Sequence, residues 1–183
     1  MKKVVLTFGV IAGSIVSLMM FVTLGLTDVV DFDNGMVVGY ATMLAAFLLI
    51  YFGVRSYRDN VVGGAVKFGR AFVVGALIAA IASVMYTATW QVIYRNFQPD
   101  FVEKYAEHQL ESARAKGATQ AELDAKAAEM AEFAQLYQNP LVNVAYTMLE
   151  ILPLGLLVSV ISAGILSRKR REGHPGTATV TVA

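Results

Sequence analysis

LVNVAYTMLEILPLGLLVSVISAGIL, residues 141–166, is the stretch on which the fold turns. About 20 apolar residues at a rise of ~1.5 Å cover a hydrocarbon core of ~30 Å, so this segment is long enough to cross a bilayer as one helix. It nonetheless carries a carboxylate near its middle, Glu150, and a proline one turn later, Pro153. A helix of this kind needs other long apolar segments packed around it. Three lie upstream, at residues 4–26, 35–54 and 68–93. The fold class is therefore all-α, a polytopic membrane protein with four transmembrane helices.

Composition agrees. Of 183 residues, 56% are hydrophobic and 16% charged, against about 25% charged in a typical soluble domain. The net charge of +1 leaves no dominant basic face, which argues against nucleic acid as a partner. The absence of cysteine excludes disulfides, thiol catalysis and thiolate metal sites. Only His108 and His174 offer imidazole, so no metal and no cofactor is expected.

Lys2 and Lys3 precede the first apolar run, as in a secretory signal peptide. The run exceeds an h-region of about 7–15 residues and no A-x-A pattern follows, so it reads as a retained transmembrane helix. Gly9, Gly13 and Ser17 recur every four residues within it, a stripe along which another backbone can approach closely. An acidic loop with Asp28, Asp31 and Asp33 follows. The second run carries Gly35-x-x-x-Gly39 beside Tyr40 at one end and Tyr51 and Phe52 at the other. Residues 55–60 read as a polar link. Gly63-Gly64 then marks either a hairpin or a tight re-entry turn at the membrane surface. Gly75, Ala79 and Ser83 repeat the small-residue spacing in the third run, where Trp90 and Tyr94 read as interface anchors.

From Pro99 to Tyr137 the composition changes. One helix has Pro99 in its first turn and Gly117 past its end. A second opens on Thr119-Gln120-Ala121-Glu122, a capping-box pattern. Leu123, Ala127, Met130, Ala134 and Tyr137 alternate at spacings of four and three, a narrow seam. Val102, Ala106, Leu110 and Ala113 can face it. The unit reads as an external helical hairpin between transmembrane helices three and four, with arms of about 25 Å. It serves either as a partner-binding element or as a self-packed cap, and the cap is favoured. The domains are then 1–98 for the first three spans, 99–139 for the hairpin, 140–171 for the fourth span with its basic stop-transfer cluster, and 172–183 for a disordered tail.

Lys and Arg counts set the orientation. Ten fall on one side (Lys2, Lys3, Arg55, Arg58, Lys67, Arg70, Arg168, Lys169, Arg170 and Arg171) and five in or beside the hairpin. The positive-inside rule places the ten in the cytoplasm. Both termini are thus expected to be cytoplasmic in a bacterial inner membrane, with the hairpin outside.

Phe52-Gly53-x-Arg55-Ser56-Tyr57-Arg58-Asp59, Gly63-Gly64 and Phe68-Gly69-x-Ala71-Phe72 make one block. Pro99-Asp100-Phe101-x-Glu103-Lys104-Tyr105, Gln138-Asn139-Pro140 and Glu150-Ile151-x-Pro153-x-Gly155-Leu156-Leu157 complete a set. As a set these resemble a bacterial membrane-protein family, the domain of unknown function 4199. The resemblance covers nearly the whole chain except the last dozen residues. It implies four transmembrane helices with an extramembrane helical insert, and no activity.

Glu150 is the sharpest candidate for chemistry. A charge at a span's centre costs about 2.5–3.5 kcal/mol on insertion scales, and such groups usually pair or face a cavity. Counting equal depths brings Ser83, Tyr86 and Ser17 to its level, and Pro153 frees the Leu149 carbonyl beside it. Proton relay or cation binding is one reading of this intramembrane polar site. The favoured one is a protonated residue hydrogen-bonded to Tyr86 or Ser17 inside the bundle. Arg55, Arg58, Lys67 and Arg70 either contact anionic lipid headgroups, at about 1 kcal/mol each, or simply set topology. His108 with Glu103, Glu107 and Glu111 reads as a wet helix face. No histidine stands beside the intramembrane hydroxyls, which disfavours a serine-type hydrolase. The reading that follows is a non-enzymatic interaction or accessory protein. Its partners are the lipid bilayer and either further copies of itself or another membrane protein. The alternative is a small transporter or proton- or cation-coupled permeation unit built on Glu150.

Overall fold

A computed structural model of the chain describes residues 1–25 and 32–167, without the side chains of Phe32 and Asp33. Asp28 and Asp31 of the acidic loop, the basic cluster at 168–171 and the tail with His174 lie outside the described residues, while Asp33 belongs to the first turn of a helix. Among those described there are six helices: α1 (Lys2–Gly25), α2 (Phe32–Asn60), α3 (Phe68–Asn96), α4 (Phe101–Ala115), α5 (Gln120–Tyr137) and α6 (Pro140–Leu166). α1, α3, α6 and Asn34–Asn60 of α2 are long and apolar enough to cross a membrane. Their outward surface is apolar too: Leu6, Leu18, Leu48, Leu149 and Leu157 are all exposed. A belt of this size cannot face water, so the bundle requires a hydrocarbon solvent.

α3 is the centre of the bundle, and its contacts with α6 and α1 are the most extensive. Both use ridges of residues four apart. On α1, a Cβ added at Gly9 would lie 2.9 Å from Ile81 Cβ, and one at Gly13 2.9 Å from Met85 Cβ. One step further along, Ser17 meets Thr89, whose hydroxyl hydrogen-bonds it at 2.9 Å. On α6, which runs antiparallel to α3, a Cβ added at Gly155 would lie 2.7 Å from Ala79 Cβ. Likewise Gly75 would meet Ser159 Cβ at 2.9 Å. The small-residue stripes thus let backbones approach closely, which drives helix association where lipid is as apolar as leucine. Phe47, Ile50, Ile78 and Ile151 fill the centre completely.

The expected polar link at 55–60 is helical instead, forming the end of α2. Tyr57 is buried there, Arg55 and Arg58 pair with Asp59 at 3.6 and 2.7 Å, and Asn60 Nδ2 donates to Ser56 Oγ. Those bonds carry the helix past the apolar run. The connection shrinks to residues 61–67, where Gly63 and Gly64 adopt φ of 76° and 95°. Gly64 N–H returns to the Arg58 carbonyl at 2.8 Å, so this is a turn rather than a hairpin.

α4 starts at Phe101, so Pro99 stands before the helix rather than in its first turn. Four residues separate α4 from α5, with Gly117 at φ 83°. The Thr119–Glu122 capping box forms in both directions: Thr119 N–H donates to Glu122 Oε2 at 2.7 Å. α4 and α5 pack on each other, with Val102, Leu123 and Met130 buried, while Ala127 of the expected seam is exposed. The cap gives the first prediction. Thr119→Ala should cost about 0.5–2 kcal/mol of local helix stability, seen as faster amide exchange confined to the first turn of α5. The Thr119 backbone N–H, and then its hydroxyl, hold the Glu122 carboxyl below its ordinary range. Its contribution is therefore full above the unfolded carboxylate range and is lost as pH falls through the lowered folded value. In wild type the same exchange should speed up over that acid range.

Candidate functional site

Every buried polar side chain that the structure describes lies on α3 or α6: Ser83 and Thr87 on the first, Asn143, Thr147, Ser159 and Ser162 on the second. They mark a polar seam. Gln91 Nε2 donates to Asn143 Oδ1 at 2.6 Å across it, Thr147 Oγ1 to the Asn143 carbonyl at 2.8 Å, and Ser159 Oγ to the Gly155 carbonyl at 2.7 Å. Ser83 Oγ, Thr87 Oγ1 and Asn143 Nδ2 find no hydrogen-bond partner among the described residues.

Where this seam reaches the α4–α5 end, it meets a cluster of rings. Trp90 and Tyr94 of α3, Phe101 and Tyr105 of α4, Phe133 and Tyr137 of α5, and Tyr146 of α6 pack in a continuous chain. Centroids are 4.8 Å apart for Trp90–Phe101, 5.5 Å for Tyr94–Tyr137 and 5.5 Å for Phe133–Tyr146. Trp90 Nε1 donates to Tyr137 OH at 2.9 Å. Burial raises the Tyr137 phenol above its ordinary value, the Trp90 and Thr147 hydrogen bonds oppose that rise, and the Glu150 charge adds to it. Trp90 and Tyr94 thus do more than anchor an interface: they clasp the α4–α5 pair to the bundle.

Glu150 does not lie inside the bundle. Its neighbour Ile151 takes the core position, completely buried, while Glu150 and Pro153 are exposed on the flank of α6. Among the described residues it makes no hydrogen bond or ion pair. α6 packs on α3, α2 and the end of α5. Tyr86 and Ser83 are buried on α3. Ser17 is not brought to Glu150: the hydroxyl is taken by Thr89. Depth counting from helix ends failed because α1 pairs with α3 in a register that lifts Ser17 about a turn above Glu150.

The four basic candidates divide. Arg55 and Arg58 are engaged by Asp59, whereas Lys67 and Arg70 line a cavity of about 530 Å³ with Val62, Ala65, Val66 and Gly69. No group of three His, Asp or Glu able to hold a metal occurs among the described residues. Sequence reading missed Asn143, Thr147, Phe133 and Tyr146, and took Tyr137 only as part of the apolar seam. Their signal was present as the spacing of four in Ser83-Thr87-Gln91 and Asn143-Thr147, and as aromatic residues at the roots of an otherwise polar insert.

The family model described as "Protein of unknown function (DUF4199)" matches residues 7–168. The chain belongs to the DUF4199 family. That span takes in all four long apolar helices and both helices of the insert. No curated protein and no solved structure matches it.

Proposed function

We propose that this DUF4199 protein is a non-enzymatic inner-membrane protein that acts by interaction, with both termini cytoplasmic and α4–α5 as an extracytoplasmic hairpin. The observation that carries this reading is the aromatic clasp. It binds one side of the pair to the bundle, leaving Glu103, Glu107, Glu111, Glu122, Asp124, Glu129 and Glu132 exposed on a platform of defined orientation. Residues 99–139 hold eight Asp and Glu against four Lys and Arg, so the partner surface that fits is basic. The completely buried side chains of Phe47, Ile50, Ile78 and Ile151 at the centre support this reading over the transporter alternative, since Glu150 itself lies on the exposed flank.

The test is site-specific photocrosslinking in native membranes, combined with a reporter active only outside the cytoplasm. A photoreactive residue at Glu129 should give one discrete protein adduct, lost when Glu107, Glu111 and Glu132 are changed to lysine. The reporter should be active when fused after Gly117 and silent after Arg171. Adducts to lipid alone, or the opposite reporter pair, would sink the proposal.

A further inference from the structure

The flank of α6 that carries Glu150 and Pro153 is exposed. Tyr146 lies one turn from Glu150 on the same face, on the α4–α5 side, and is exposed. Phe133 and Tyr137 pack on it, with centroids 5.5 and 6.3 Å away, so the Tyr146 ring is held in place by two others. Below Glu150, Leu157 continues the face as an exposed apolar wall. The acid has no counter-charge: residues 4–54, 71–94 and 141–167 contain no Lys or Arg.

We propose that this flank is a lateral binding site for a lipophilic organic cation, an ammonium or phosphonium centre on an apolar body. The cation would stand against Glu150, with the face of Tyr146 beside it and its apolar part along Leu157. A carboxyl facing hydrocarbon is neutralised either by a proton or by a cation, an aromatic face attracts the cation, and the opening towards lipid admits an occupant that partitions there. A second copy of the chain is a poorer occupant, since it has no basic side chain at this depth to offer. Phosphatidylethanolamine is poorer too, because its phosphate would approach the same acid. This site goes beyond the interaction role proposed above and does not depend on it.

The probe is radiolabelled tetraphenylphosphonium, measured by equilibrium binding to the full chain in mild detergent. The expected result is saturable binding, not displaced by triphenylphosphine oxide, which has similar rings without the charge. Glu150→Gln should weaken it by at least about tenfold, with Glu150→Asp restoring most of the affinity, and Tyr146→Leu should weaken it by about three- to tenfold. Melting temperatures identify any variant that fails to fold, and Tyr146→Leu, which keeps the acid, then carries the test alone. The assignment is overturned by non-saturable binding, by equal displacement by the oxide, or by undiminished binding in a folded Gln or Leu variant. Displacement by phosphatidylethanolamine would reassign the site to a resident lipid. Near-complete disulfide formation between copies carrying Glu150→Cys would show that a second copy covers the flank. Either result would overturn it.

Discussion

Gly155→Leu is expected to lower the melting temperature in detergent sharply, while Gly164→Leu on the same helix leaves it nearly unchanged. At Gly155 an added Cβ would lie 2.7 Å from Ala79 Cβ and 3.2 Å from Phe47 Cζ. Neither can yield. The Ala79 methyl is fixed to its backbone, and Phe47 is completely buried. The helices must separate, which removes contacts along the whole ridge and pulls Gln91 from Asn143. Overpacking typically costs about 1–3 kcal/mol, and a clash against backbone-fixed atoms belongs at the top of that range or above. At Gly164 nothing lies within 4 Å of the added atom, and leucine is the better helix former. Equal melting of the two variants would show that α3 and α6 do not approach this closely.

The second large effect is expected at Tyr137. This ring touches Tyr94, Phe133 and Tyr146, and its hydroxyl accepts from Trp90 at 2.9 Å. It is the point at which α5 is held to both α3 and α6. Truncating a buried aromatic residue to alanine costs about 3–5 kcal/mol, so Tyr137→Ala should release the α4–α5 pair while the four apolar helices stay assembled. Hydrogen exchange should then accelerate across α4 and α5 but not in the middle of α3. Tyr137→Phe keeps the ring and removes only the hydroxyl that Trp90 and Thr147 bond, and should show a smaller change of the same pattern. Uniform loss of protection in all six helices would mean that the clasp is part of one cooperative unit rather than a junction.

Much of this architecture is legible in the sequence, for physical reasons that differ from element to element. The four apolar runs announce themselves because a bilayer tolerates little else. The α5 start is legible because a capping box is a local exchange of hydrogen bonds that needs no tertiary partner. The stripes at Gly9-Gly13-Ser17 and Gly75-Ala79-Ser83 point correctly to close approach. Glu150 was legible as unusual but not in its placement. Residues 150 and 151 differ by 100° around the helix, and only the α3–α6 register decides which of them faces inward. The clasp was missed for a related reason. Phe101, Phe133 and Tyr146 are distant in sequence, and nothing in their local spacing says that they share one end of the bundle.

The ridges that join α3 and α6 repeat every four residues on both helices, so sterically they are degenerate. Sliding α6 by one turn, about 6 Å, would place Gly155 opposite Ser83, Ser159 opposite Ala79 and Ala163 opposite Gly75, all small enough to interdigitate. Shape alone does not choose the phase. The 2.6 Å bond from Gln91 to Asn143 does, because in the slid arrangement Gln91 would face Thr147 and Asn143 would leave the seam near Arg95. One amide pair at the end of the ridge thereby selects a single alignment from a periodic set, for a helix that is the last of the four to be synthesised.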